Sequence, residues 1–430
     1  MNPSRSNCRH REGRRPTAKA SADKPSRALW TFAFCPLPFD LSFRLLPAVL
    51  CLLGLLAGLG FGQQTAPYAA INHDAVRYNG PGRDAGHDVP SLEVRLGLLL
   101  PLTGPRQAEG EALRCAAQMA VDEENAASLP GGHRLQLVVR DESGPWGQAS
   151  SQIVHMVFDD QAVALITSPE GGSAHLAEQV ANKVGVPVLT LSTDSTTTEI
   201  NLPWIFRLGP TDVAQAQAFA REIYGNRKAH RVVLLTQNDH DGRLGGDAFI
   251  KAAREMSAPE PVRIVLESPF TVTGEIQPQL ADAQAVVVWT DAATAGQLVP
   301  KLREWHATAP LYLCRKAADN DTSEAGLLPC PTCDTSVGSR WIAAAPESRE
   351  AWAGFSQRFR QRFGMEPGLG ATQAYDAVRI LAAALGHSGP NRARLRDSLA
   401  AVSAFPGASG LISFDHAGND TAKLTLLRIQ

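Results

Sequence analysis

Between Gln161 and Asp212 two short apolar, β-branched runs, Ala162–Ile166 and Val186–Leu191, each give way to a cluster of Gly, Ser, Thr, Asp and Pro. The stretch between them, Ala174–Lys183, spaces its apolar residues three and four apart, which predicts an amphipathic helix. A strand, a helix and a second strand of this kind make a β-α-β unit, and such units impose a parallel sheet. The polar clusters then fall at the carboxyl ends of the strands, where open parallel sheets place their ligands. Ser173 stands at the start of the predicted helix, where its hydroxyl and the free backbone N–H groups can hold an anion such as a carboxylate. Ser is also an ordinary helix cap and Gly171-Gly172 an ordinary turn, so a purely local role competes.

The pattern continues on both sides. Strands are expected at Val94–Leu100, Leu135–Val139, Arg231–Thr236, Val262–Leu266, Ala285–Trp289 and Leu311–Cys314. Helices are expected at Gly110–Asn125, Ala149–Phe158, Val213–Tyr224, Asp247–Met256, Ala293–Trp305, Arg349–Phe363 and Thr372–Leu385. Gln237–Gly246 (QNDHDGRLGG) reads as a polar turn, and Gly410–Gln430 as two strands around a turn. The alternation repeats on either side of Asp212, which predicts two α/β lobes, and about 340 residues beyond the N-terminal region suffice for two cores.

The first 44 residues are basic and Pro-rich, and Leu45–Phe61 is almost wholly apolar. Residues 1–62 are read as a leader followed by a signal-peptide core or a short membrane anchor. Residues 63–91 are read as a tether or extended arm. Export is expected, to the periplasm or another extracytoplasmic space, with tethering through 45–61 as the alternative. A net charge of -2, with no basic block beyond the leader, argues against nucleic acid as a partner. No G-x-G-x-x-G or G-x-x-x-x-G-K-[ST] occurs, and Ser173 is not in G-x-S-x-G. Neither a cofactor nor a metal is expected. Four cysteines lie beyond the leader, Cys115, Cys314, Cys330 and Cys333. In an exported domain Cys330 and Cys333 could close a tight disulfide, or either could pair with Cys314.

Several segments in order resemble the leucine/isoleucine/valine-binding family of extracytoplasmic solute receptors. They are Pro101-Leu-Thr-Gly104 after the first strand, Ala120–Asn125 before Gly131-Gly132, and the Ser173 loop. Phe206-Arg207 with Pro210-x-Asp212, Phe359–Pro367, Tyr375-Asp376-Ala377 and Gly410–Asn419 complete the set. The resemblance implies an α/β, two-lobed type I periplasmic binding fold, each lobe a mostly parallel sheet flanked by helices, with a cleft between the lobes. Carried over, lobe one is 92–211 and 340–408, and lobe two is 212–339 and 409–430. It further implies a small-molecule solute, handed to an ABC permease in the membrane, and no catalysis. A membrane-anchored sensor of the same fold is the alternative, and an enzyme using Ser173, His175 and Asp212 a weaker one.

The resemblance places a ligand carboxylate on Ser173 and on Ser195 and Thr196, with Thr193, Thr197 and Thr198 as neighbours in the same loop. Hydroxyls and backbone N–H groups suit a carboxylate on chemical grounds as well. Asp212 matches a position near the ligand ammonium, although capping the following helix would also explain it. Trp146 could wall the cleft or pack on the surface. In the second lobe Asp241, Asp291 and Arg315 stand where amino-acid receptors place aromatic and acidic residues. With Arg315-Lys316 in place of an acid, the expected solute is acidic or strongly polar rather than branched-chain.

Overall fold

A computed structural model describes residues 80–144, 147–199, 202–267, 276–305, 309–319, 340–343, 349–424 and 426–429. The leader, the 45–61 segment, Trp146, Cys330 and Cys333 lie outside the described residues.

The first sheet is built from β1 (Glu93–Leu100), β2 (Arg134–Asp141), β3 (Ala164–Thr167), β4 (Val188–Thr190) and β5 (Ile205–Arg207). Its order is β2-β1-β3-β4-β5 and every pairing is parallel. Crossover helices α1 (Gln107–Ala127), α2 (Gln148–Phe158) and α3 (Gly171–Val184) connect them, and the short α4 (Thr196–Glu199) follows β4. Covered on both faces, β3 and β4 are wholly buried and nearly apolar, as the physics of a buried parallel sheet requires, whereas the edge strand β2 is partly exposed and alternates at its start. Leu96, Leu98, Leu99 and Leu100 are fully buried.

After α5 (Asp212–Ala220) the chain builds a second sheet from β6 (Val232–Gln237), β7 (Val262–Leu266), β8 (Ala285–Trp289), β9 (Leu311–Leu313) and β10 (Arg340–Ala343). Helices α6 (His240–Glu255), α7 (Gln277–Leu280) and α8 (Ala292–Glu304) lie between its strands in sequence. Helices α9 (Arg349–Phe363), α10 (Leu369–Ser388) and α11 (Arg392–Ala400) follow, then the small hairpin of β11 (Phe405–Gly407) and β12 (Gly410–Ile412). The last strand, β13 (Leu426–Ile429), returns to the second sheet, whose order is β13-β10-β9-β8-β6-β7. Only the β10–β13 pairing in it is antiparallel.

Two lobe boundaries differ from the sequence expectation. Strand β10, expected to open the return to lobe one, pairs with β9 and β13 in the second sheet. Phe355 and Phe359 of α9 then pack into the first lobe's core. At the other end Ile412 and Phe414 remain in that first core, and it is Leu424 and Leu426 that pack on the second. The two strands of the C-terminal segment are therefore not partners: β12 pairs with β11 and β13 with β10. An apolar run shows that a strand is buried, but not which of two similar sheets buries it.

The polar turn expected at Gln237–Gly246 is instead the first two turns of α6. Asp239 caps it by accepting from the Gly242 N–H at 2.7 Å. Its glycines serve close packing: a Cβ on Gly245 would stand 1.8 Å from the Trp289 ring nitrogen, and one on Gly242 2.2 Å from the Gln237 carbonyl oxygen. The described end of the expected tether is docked, since the Asn391 side chain donates to the Gly82 carbonyl at 2.9 Å and Arg394 pairs with Asp88 at 2.7 Å.

Candidate functional site

The carboxyl ends of the two sheets face one another. From the first sheet come Arg106 beyond β1, Glu142 after β2, Ser168 and Glu170 after β3, Ser173 and His175 on α3, and Asp194–Thr196 after β4. From the second come His240 and Asp241 on the first turn of α6, after β6, and Lys316 after β9. Direct bonds join the two sides. The Gly171 N–H donates to Asp241 Oδ1 at 3.2 Å, and His240 Nε2 lies 2.7 Å from Asp194 Oδ2. Lys316 Nζ donates to Glu170 Oε2 at 3.0 Å and to Asp241 Oδ2 at 2.6 Å.

The charges are arranged in two groups. In one, Arg106 pairs with Glu109 at 2.8 Å, Glu170 at 2.9 Å and Glu142 at 3.4 Å. Burial raises the Glu142 carboxyl to about 7, against the pull of Arg106 and of hydrogen bonds from Ser168 and Ser173. Lys316 holds Glu170 below the usual carboxylate range, whereas burial pushes Asp241 up to about 6 despite the same ammonium. In the other group Asp194 is at the centre. One of its oxygens, Oδ1, accepts from the Thr196 N–H at 2.9 Å and from the Thr196 hydroxyl at 2.7 Å. The other, Oδ2, faces His175 Nε2 at 3.0 Å and His240 Nε2 at 2.7 Å. Burial disfavours the Asp194 charge, but the hydrogen bonds of both histidines and Thr196 outweigh it and hold the carboxyl below its ordinary range.

Most residues named from the sequence fall in or beside this site. Ser173, Ser195 and Thr196 lie on its first-lobe side and Asp241 on its second. Asp212 accepts from the Ser195 N–H at 3.1 Å, which ties the start of α5 to the β4 loop. The cap of α5 is Thr211, whose hydroxyl accepts from the Ala214 N–H at 2.9 Å, so the capping alternative for Asp212 is replaced by this loop contact. Asp291 caps α8 by accepting from the Thr294 N–H at 2.7 Å, and it also accepts from the Gln237 side chain at 3.0 Å. Arg315 does not join the charged groups. Its guanidinium is buried and donates to the Leu369 carbonyl at 3.2 Å, beside Gly209 where the chain first leaves lobe one. His175 reaches Glu178, Asp194 and Thr196.

Arg106, Glu142, Glu170, Asp194 and His240 were not singled out by sequence reasoning. Each follows the carboxyl end of a strand, so the topology rule that picked the Ser173 loop would have found them too. The pull of the resemblance toward hydroxyl-bearing positions hid them. Cys115 and Cys314 are free and buried.

Comparison with known proteins agrees with this architecture. The sequence profile of the periplasmic binding protein family matches residues 93–429, most of the chain. The chain belongs to the periplasmic binding protein family. Its members are extracytoplasmic, non-catalytic solute-binding proteins, and this periplasmic binding protein shares their function class. It is 24% identical over 309 residues to an amino acid binding protein of Pseudomonas aeruginosa, covering 70% of this chain and 80% of that one. It is 30% identical over 164 residues to a Leu/Ile/Val-binding protein homolog of Brucella melitensis, covering 37% of this chain but only 44% of the relative's length. In three dimensions it resembles a solute-binding protein of an ABC transporter from Rhodopseudomonas palustris, solved with 3,4-dihydroxybenzoic acid. That match has a TM-score of 0.68 at 17% identity over 79% of this chain and 96% of the other, a likeness of fold.

Proposed function

We propose that this periplasmic binding protein captures a small, strongly polar, amino-acid-like solute between its lobes and delivers it to an ABC permease. The observation that carries the reading is the facing pair of strand-end loops, with hydroxyls and N–H groups on the first lobe and charged side chains on both. The solute carboxylate is assigned to Ser173 and Ser195, whose hydroxyls suit an anion without a full countercharge, while Thr196, placed with them by the resemblance, gives its N–H and hydroxyl to Asp194 instead. An ammonium is assigned to the carboxylates, with Asp212 and Asp241 as candidates, because a buried cation needs an acidic or carbonyl partner. The relatives' names include amino acid binding and, by fold, an aromatic acid, which supports a carboxylate as the shared feature.

Arg315 was the sequence's reason to expect an acidic solute. With its guanidinium turned to Leu369, that role passes to Lys316 and Arg106. Both already face carboxylates, so a polar zwitterion fits better than a dicarboxylate. A thermal-shift panel of amino acids, dicarboxylates, amides and aromatic acids tests the proposal, since a ligand bound only by the native state raises its melting temperature. Polar amino acids are expected to stabilise more than leucine. Stabilisation by branched-chain amino acids alone would overturn the preference, and no stabilisation by any carboxylate would overturn the site.

A further inference from the structure

We propose that His175, Asp194 and His240 form a divalent transition-metal site, zinc being the natural occupant, that clamps the two lobes together. His175 and Asp194 belong to the first lobe and His240 to the second. Their three donor atoms, two imidazole nitrogens and one carboxylate oxygen, all lie within 4.8 Å of one another. Two nitrogens and one oxygen suit a borderline cation such as zinc, with a fourth tetrahedral position left for water or solute.

The surroundings are those of a built metal site rather than a chance ion pair. The Asp194 side chain is 1% exposed, and Thr196 occupies its Oδ1, so Oδ2 alone is turned to the histidines. His175 Nδ1 lies 3.0 Å from Glu178 Oε2, a carboxylate that is itself buried. A ligating histidine commonly has such a partner on its other nitrogen, which fixes the ring's orientation and its tautomer. With Nδ1–H given to Glu178, Nε2, which meets Asp194 Oδ2 at 3.0 Å and the Thr196 hydroxyl at 2.9 Å, can turn to a metal once its proton is displaced. The two rings meet edge to face with centroids 5.7 Å apart, so both Nε2 atoms converge on one oxygen without stacking. Tetrahedral zinc at the usual distance of about 2.0–2.2 Å sets its donors about 3.3–3.6 Å apart, so the contacts at 2.7 and 3.0 Å must open by about 0.3–0.9 Å and the two imidazole nitrogens, within 4.8 Å of each other, must settle at the same spacing. The sequence hides the site because its residues are separated by 19 and 46 positions and meet only when the lobes face each other.

The inference does not depend on which solute is captured, and its test contains none. The full chain is stripped with EDTA and titrated with zinc by calorimetry, with cobalt as a spectroscopic probe of tetrahedral coordination. Native protein is expected to bind one more equivalent of zinc than His240→Ala or His175→Ala. Small-angle scattering is expected to show zinc compacting the native protein and not His240→Ala. Glu178→Gln should weaken that equivalent by about tenfold or more. His155→Ala, an exposed histidine elsewhere, should match the native protein. Equal stoichiometry in the native protein and the two histidine variants would overturn the proposal, as would zinc binding without compaction. Melting curves of the metal-free variants establish that each is folded.

Discussion

At the scale of single residues, the hydroxyls assigned to the solute carboxylate make the most direct prediction. Ser173→Ala and Ser195→Ala should each weaken solute binding by about tenfold or more, because a hydrogen bond to a charged group contributes roughly 1.5–3 kcal/mol. Calorimetry with the solute found by the thermal-shift panel measures this, and unchanged affinity in both variants would place the carboxylate elsewhere. Glu142 makes a second prediction, through pH. Burial holds its folded-state carboxyl near 7, above the unfolded value of about 4.3. The fold therefore binds a proton that the unfolded chain has released, so this group's contribution to stability is complete below about pH 4 and is lost as pH rises through about 7. The stability of native protein relative to Glu142→Gln should fall between pH 5 and pH 8, by at most about 3 kcal/mol. Denaturant melts at a series of pH values would show it, and a constant difference would mean that Arg106 neutralises the burial penalty entirely.

At the scale of elements, α6 shows where tertiary packing overrides composition. Gly242, Gly245 and Gly246 give the segment the look of a turn, yet they are what allows a helix to lie directly on Gln237, Trp289 and Thr236. Gly245→Ala raises helix propensity but puts a methyl group into the Trp289 ring, so it should destabilise by about 1–3 kcal/mol or more. A rise in melting temperature would show that propensity governs there instead. The strands bordering both sites were legible because buried parallel strands are written as apolar runs, and most helices were legible from their stripes. What the sequence left undecided were features that depend on a distant partner. Strand β10 is recognisable only by its pairing with β9 and β13, and α11 has charged residues at much of its surface. Within the cleft, the loop reading pointed to Ser173, Ser195, Thr196 and Asp241, which lie at the facing strand ends, whereas the Arg315 guanidinium turns away to Leu369, because side-chain direction after a strand is not written locally. Asp194 and His240 acquire meaning only when the lobes meet.

At the scale of the whole molecule, the question is what holds the lobes together before a solute arrives. The first and last passages between them are tied side by side. The Arg207 N–H donates to the Gly418 carbonyl at 2.8 Å, the Asp420 N–H donates to the Arg207 carbonyl at 3.1 Å, and the Gly209 N–H donates to the Asp420 side chain at 3.2 Å. Such a seam can bend but not slide, which suits closure about a hinge. Across the facing loops, Lys316 supplies the charge that matters most. Its side chain is 8% exposed, and Asp241 and Glu170 raise its pKa well above the ordinary value although burial opposes them. Lys316→Met would leave the largely buried Asp241 without a cation and the half-buried Glu170 with Arg106 alone, and breaking a buried pair costs at most about 3–5 kcal/mol. Opening the cleft hydrates both, so that cost should appear as an expanded solute-free molecule as well as a lower melting temperature. Glu170→Gln separates the two effects, because it removes the first-lobe partner and leaves Lys316 paired with Asp241 inside the second lobe. This variant is expected to open with a smaller loss of stability than Lys316→Met. Small-angle scattering and melting curves on both variants decide it: an unchanged radius of gyration in both would show that the ion pairs bridging the lobes contribute little to closure, leaving it to the Gly171–Asp241 and His240–Asp194 contacts.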